Sequence, residues 1–332
     1  MPFSKNATYA GSPRGATYVI DSGLIKQFDR IGNLRKTVDV ADFPNFAVSP
    51  NGYAFAILEE SAADSAKFEV YDIMFNQKFS GQVLSGSTLF PSDSGDFVVV
   101  SPAAKFGRKS VQIYDSAGVK IGQTTVTGCD SVVFMSALGR ILLDSGANGL
   151  RVIERDGAQV AIYPACNVYS VSPDGEGLAT FGSGALRVYK GDSLVARHNV
   201  TYPSVRKIYY DRAHERIMIM VATNFIIIGA IDGKFLLEYP VISSGRFYTD
   251  FDYDSQEDMI ALAILVSYST AVKSEKRANN CALRILTPDG EELPFYYVIG
   301  ARSRQGYPRV SFSNKGISAM IFGADQIHMV GW

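Results

Sequence analysis

Apolar and polar side chains alternate along most of this chain in short runs. Gly, Pro, Ser, Asn and Asp close the runs, as expected for β-strands joined by tight turns. The stretch from Val168 to Tyr189, VYSVSPDGEGLATFGSGALRVY, shows the pattern most fully. A strand around Val168 to Val171 meets a Ser-Pro-Asp-Gly turn, in which Pro173 presets φ, Asp174 can bond its own backbone and Gly175 accepts positive φ. A second strand follows at Leu178 to Phe181. Gly182 to Gly184 turns the chain into a third, Leu186 to Tyr189, and Gly191-Asp192-Ser193 leads to a fourth at Leu194 to Ala196. We name the four strands a, b, c and d.

The unit recurs. Its a–b turn reappears at Ser49-Pro50-Asn51-Gly52, Ser92-Asp93-Ser94-Gly95 and Ser136-Ala137-Leu138-Gly139. Degraded versions begin at Asp211 and Asp254, and a last one is Ser313-Asn314-Lys315-Gly316. A period near 40–45 residues is that of a four-stranded propeller blade. The c–d turn recurs separately, from Asp29 through Phe75, Asp115, Arg155, Gly191 and Asp232 to Asp289, and also gives seven. The expected fold is therefore all-β: a seven-bladed β-propeller of four-stranded antiparallel blades. Because the chain opens and closes in mid-repeat, the ring is expected to close through a blade shared between the N- and C-termini, which would cover both free sheet edges. Residues 1–16 read as a flexible leader and 17–332 as one propeller domain. Repeats fall at 41–85, 87–126, 129–165, 166–201, 202–241 and 246–298, and 17–40 joins 308–332 in the shared blade. Two strand candidates, Tyr18 to Asp21 and Ile327 to Gly331, are surplus to that arrangement.

Composition narrows the functional classes. The formal net charge of −1 provides no global field to recruit nucleic acid. No apolar run is long enough to span a membrane as a helix. The first residues lack the apolar core of a secretory signal, so a cytoplasmic location is expected, although a trimmed secreted form would look the same. Cys129, Cys166 and Cys281 do not make a framework of pairs. They are expected to be reduced and unligated, since no C-x-x-C or H-x-x-x-H spacing accompanies them. His198, His214 and His328 are isolated in sequence. No metal site, cofactor site or catalytic motif is expected.

The long loops are all of one kind. In a blade, b–c and d–a loops leave one side of the disc, and a–b and c–d turns leave the other. Every insertion belongs to the first set: Glu59 to Lys67, Pro102 to Lys109, Ser267 to Asn280 and Gly300 to Pro308. Three of these are basic. They make a candidate binding face of Lys105, Arg108, Lys109, Lys273, Lys276, Arg277, Arg302, Arg304 and Tyr307.

The Ser-Pro-Asp/Asn-Gly turns before an apolar strand, at Ser49 to Gly52 and Ser172 to Gly175, resemble the repeats of the bacterial WD40-like superfamily, the TolB-like and YVTN-type propellers. The resemblance covers most of the chain as periodicity but only these turns as motif. The Trp-Asp and Gly-His pairs of true WD40 repeats are missing, and the single Trp is Trp332. The resemblance implies a propeller that scaffolds protein assemblies, as most of the superfamily does. The expected function is a non-catalytic interaction or scaffold module that presents its loop-decorated face to a protein partner. The alternative is an enzyme of hydrolase or lyase type at the central channel mouth, built from groups such as Asp42, Asp130, Asp250, Arg246 and Arg302 and taking a small-molecule substrate. Nucleic-acid binding ranks last, because the basic residues are scattered over non-adjacent blades.

Overall fold

The structure is a computed structural model. It describes residues 8–331 apart from 12–16, 22, 30–32, 41–44, 50–52, 61–63, 104–106, 136–138, 201, 203, 241–245, 256, 268–278, 300–308, 313–317 and 323–326. Among the described residues every regular element is a β-strand except one 3₁₀ turn at Gly146–Asn148. The strands make seven four-stranded antiparallel sheets of consecutive strands, and a three-stranded sheet follows. In order, sheets 1 to 8 span 8–39, 45–84, 88–127, 131–163, 168–199, 207–240, 246–299 and 309–331. Sheets 2 to 7 coincide with the six repeats read from the sequence.

The two ends differ from that reading. Thr8–Gly11, placed in the leader, is a strand that pairs with Thr17–Asp21. Sheet 1 thus draws all four strands from residues 8–39. Arg309–Phe312, Ser318–Phe322 and Ile327–Gly331 pair only with one another among the described residues. No blade is shared between the termini in these sheets. The two surplus candidates are accounted for: 17–21 is strand b of sheet 1, and 327–331 is strand c of sheet 8. The physical reason is the edge of strand b at 17–21. Its backbone takes up the nearest free segment, which is close in sequence, and the distant C-terminus is left to form its own sheet.

Both faces of strands b and c are buried in sheets 2 to 7, because each of these packs between two others. In sheet 6, Ile217, Ile219, Ile226 and Ile228 face sheet 5. Their alternates Met218, Met220, Phe225 and Ile227 face sheet 7. Seven such apolar clusters fill the spaces between sheets 1 and 2 through to sheets 7 and 8. This explains why strands such as Asn224–Gly229 read as continuous apolar runs, whereas outer strands such as Phe235–Pro240 alternate.

Two local devices repeat. Strands c and d of all seven four-stranded sheets slip register just before their turn, at Gln27/Phe28, Val70/Tyr71, Ile113/Tyr114, Val152/Ile153, Val188/Tyr189, Ile227/Ile228 and Arg284/Leu286. Such bulges add twist, which lets stacked sheets fan out around an axis. In sheets 1, 2, 3, 4 and 6 the turn after the bulge is held by an aspartate. The Asp72 carboxylate accepts N–H bonds from Met74 and Asn76, both at 2.9 Å, and Asp115 accepts from Ala117 and Val119 at 3.0 and 2.9 Å. Burial raises the Asp72 carboxyl pKa, but Lys78 and the turn N–H groups outweigh it and hold it at about 2. At the a–b turns the serine does the same work from inside. Ser49 and Ser172 are buried, and their Oγ atoms accept from Ala54 N at 3.1 Å and Gly177 N at 2.8 Å.

Candidate functional site

The inner strands a carry side chains that reach the next sheet. Ser131 and Tyr169 bond through their hydroxyls at 2.6 Å, joining sheets 4 and 5. Ser170 Oγ accepts from Tyr210 N at 3.0 Å, joining 5 and 6. Lys207 Nζ donates to Asp250 Oδ1 at 2.7 Å and to the Phe251 carbonyl at 2.6 Å, joining 6 and 7. Asp250 and Asp252 then accept the N–H groups of Val310 and Phe312 at 3.1 and 2.7 Å, joining 7 and 8. Backbone alternation explains this last pair. Residues two apart on strand a of sheet 7 face the same way and match two N–H groups two apart on strand a of sheet 8.

Burial pushes the Asp252 carboxyl up to about 6, against the Lys207 cation and the N–H groups of Phe312 and Tyr253. A folded value above the unfolded one of about 3.9 means that ionisation disfavours the fold, so this contribution falls as pH rises from about 4 to about 6. Asp252 is half-buried and lines a cavity open to solvent, which moderates the penalty. Asp252→Asn should therefore gain stability relative to wild type across that interval, by on the order of 2 kcal/mol. Denaturant titrations of both proteins at the two ends of the interval measure it, and a pH-independent difference would refute it.

On the turn side, arginines bridge successive sheets. Arg155 pairs with Asp96 across sheets 4 and 3 at 2.7 Å. Arg140 holds Glu154 in its own sheet and Asp192 of sheet 5, at 3.0 and 3.1 Å. Arg212 of sheet 6 grips Asp174 and, at 2.7 Å, Glu176, both of sheet 5. Arg216 of sheet 6 bonds buried Asp211 at 2.9 Å and also Asp258 of sheet 7. The Tyr253 hydroxyl lies among these groups, 3.0 Å from Asp211 and 2.7 Å from Asp258. His214 Nδ1 is 2.8 Å from Asp211. Asp211, His214 and Asp258 are grouped as metal ligands would be. The cation among them is the Arg216 guanidinium, which bonds both carboxylates. Burial raises the Asp258 pKa, but bonds from Tyr253 and Arg216 outweigh it and hold the carboxyl low. Here the degraded a–b turns put Glu215 and Asp258 at positive φ, whereas in the turns at Ser92 and Ser172 the positive-φ residue is a glycine, Gly95 or Gly175.

A cavity of about 970 Å³ opens on this same side. Its walls come from turns and inner strands of sheets 2 to 7, among them Tyr53, Asp93, Asp115, Arg155, Tyr209 and Asp252. The sequence reading did not single out this face, because its turns are short. A visible signal was the polar Ser-Asp-Ser-Gly-Asp turn at 92–96.

The loop-face residues fall as follows. Arg108 is exposed and Lys109 half-buried at the start of strand Arg108–Tyr114. Lys105, Lys273, Lys276, Arg277, Arg302, Arg304 and Tyr307 lie outside the described residues. Of the groups considered for an active site, Asp42 and Arg302 also lie outside them. Arg246 opens strand Arg246–Asp254, Asp130 is exposed before strand Ser131–Met135, and Asp250 is engaged by Lys207 and Val310. The structure does not bring Asp130 and Asp250 together in a described contact. Among the thiols, burial pushes Cys129 up to about 12 and Cys166 up to about 11, and both are free. The Cys281 side chain lies outside the described residues. Cys129 should react with a disulfide reagent only after unfolding. Rapid labelling of the native protein at Cys129, read by peptide mass, would show otherwise. Among the described residues no helix is long and apolar enough to cross a membrane.

No protein-family model matches the sequence, and no curated protein matches it. Similar solved structures exist. BamB from Moraxella catarrhalis is 11% identical, with 99% of this chain and 98% of that one covered at a TM-score of 0.59. The C-terminal WD40 domain of Sif2 is 8% identical, with 96% and 92% covered at 0.62. Hsv2 from Kluyveromyces lactis is 8% identical, with 85% and 91% covered at 0.58. At these identities the likeness concerns the fold alone, and it agrees with the seven four-stranded sheets. The fold is that of a β-propeller.

Proposed function

We propose that this protein is a non-catalytic interaction module, a rigid propeller that presents its b–c and d–a loops to a protein partner. The observation that carries this reading is the contrast between the two sides. The turn side is tied across sheets 3 to 7 by arginine–carboxylate bridges. The chain's longest connections, between Ser267 and Asn279 and between Ile299 and Arg309, are b–c and d–a connections, which the order of strands in a blade assigns to the other side. A stiff scaffold with variable loops is a common arrangement for recognition. Propellers of this superfamily mostly scaffold protein assemblies, which fits the reading. A cytoplasmic setting is part of the proposal.

Charge reversal tests it. Replacing Arg108, Lys109, Lys273, Lys276, Arg277, Arg302 and Arg304 by Glu should leave the melting temperature nearly unchanged, since single charges in and beside connecting loops usually contribute little to folding. The same change should weaken binding to a partner recovered by affinity capture, and more so at low salt. Glu257→Lys on an exposed part of the turn side should not. Equal weakening by both sets would eliminate the one-face reading.

A further inference from the structure

The cavity on the turn side is not used by the loop-face reading, and its lining has a definite chemistry. We propose that it is a second docking site, for a basic extended segment of a partner protein that inserts a lysine or arginine side chain. The aspartates Asp93, Asp96, Asp115 and Asp252 line it against two cations, Arg140 and Arg155. Both arginines are already engaged, Arg155 by Asp96 and Arg140 by Glu154 and Asp192. Asp115 accepts two turn N–H groups with one oxygen. Among the described residues the lining therefore carries more negative than positive charge, and its complement is a cation.

The remaining walls suit the same ligand. Tyr53, 47% exposed at the rim, and Tyr209 and Tyr253 farther in offer aromatic surface. Tyr209 and Tyr253 meet edge to face, with centroids 5.3 Å apart. An ammonium or guanidinium is drawn to the negative face of a tyrosine ring, and the attraction strengthens as water is excluded. Size and shape favour a protein segment over a compact cation. The volume is at the top of the range of about 300–1,000 Å³ for sites that enclose a small ligand. The rim is open, with Tyr53, Ser94, Ser116 and Pro173 exposed, so a chain can enter and leave.

The test uses the whole protein and fluorescein-labelled acetyl-hexalysine, read by anisotropy, with spermine as competitor. The double variant Asp93→Asn/Asp115→Asn removes charge, while the amide oxygen of the second substitution can still accept the turn bonds. Its affinity should fall by about tenfold at low salt, as expected for lost charge complementarity. Tyr53→Ala leaves the turn bonds of Asp115 untouched and should weaken binding several-fold, which keeps the test sound if the double variant folds poorly. Glu257→Gln, on the same side and outside the cavity, should change binding by less than about twofold. Absence of hexalysine binding overturns the proposal. So does binding that survives both cavity variants, or that Glu257→Gln weakens equally, since that would be diffuse attraction. Spermine that displaces hexalysine at equal or lower concentration would identify a free polyamine site, and the protein-segment proposal fails. Seven reversals on the loop face should leave hexalysine binding unweakened, so the two faces can fail independently.

Discussion

Removing residues 309–332 is expected to abolish cooperative unfolding and leave an aggregating chain. Strand Arg309–Phe312 covers sheet 7, where Ala261, Ala263, Leu283 and Ile285 are at most 1% exposed in a cluster with Val310 and Phe312. Uncovering that face would forfeit several large side chains at about 1.5–3 kcal/mol each, comparable with a typical net stability of about 5–15 kcal/mol. The deletion also removes the N–H groups of Val310 and Phe312 from Asp250 and Asp252. It creates an apolar face of the kind that drives association. The expectation does not rest on a blade shared with the N-terminus, because the packing that disappears is against sheet 7. Calorimetry and size exclusion of the truncated protein decide the matter. A monomer with a wild-type melt would show that sheet 8 is an appendage.

Arg216→Ala should be the most damaging single substitution on the turn side, at about 3–5 kcal/mol, the usual penalty for orphaning a buried charge. The Asp211 side chain is 2% exposed and Arg216 is 10% exposed. Without the guanidinium, Asp211 keeps only the Tyr253 hydroxyl and half-exposed His214, and Asp258 loses its cation. Asp211→Asn/Arg216→Met removes both charges and fills similar space, and it should cost much less than the single change. Denaturant midpoints of the two variants give the comparison. Equal losses would mean that the site stabilises by packing and not through its charges.

The periodic part of the fold was legible in the sequence because its causes are local. Ser49 and Ser172 recur where an Oγ must hold an a–b turn, and Asp29, Asp72, Asp115 and Asp232 recur where a carboxylate must hold a c–d turn. What the sequence hid was non-local. Thr8–Gly11 has little apolar character, and it is a strand only because the edge of Thr17–Asp21 is there to pair with. The degraded turns at Asp211 and Asp254 looked like decay of the repeat. In the structure they supply Asp211, Arg216 and Asp258, which join sheets 6 and 7. The cavity was missed for the same reason. Its lining comes from six sheets, one or a few residues from each, and no spacing along the chain connects Tyr53 with Asp252.

Every sheet here is made of strands consecutive in the chain, and most of its turns carry their own side-chain bonds. Contacts of that kind are short in sequence, and chains rich in them fold faster than chains whose sheets mix distant segments. A sheet of this protein has all its strands as soon as about 40 residues have left the ribosome. Its apolar face then waits only for the next sheet, so assembly is expected to run from the N-terminus in the order of synthesis. The exception is the outward face of the growing stack, which stays apolar until sheet 8 arrives. The interval before the last 24 residues appear is when a nascent chain would most need a chaperone.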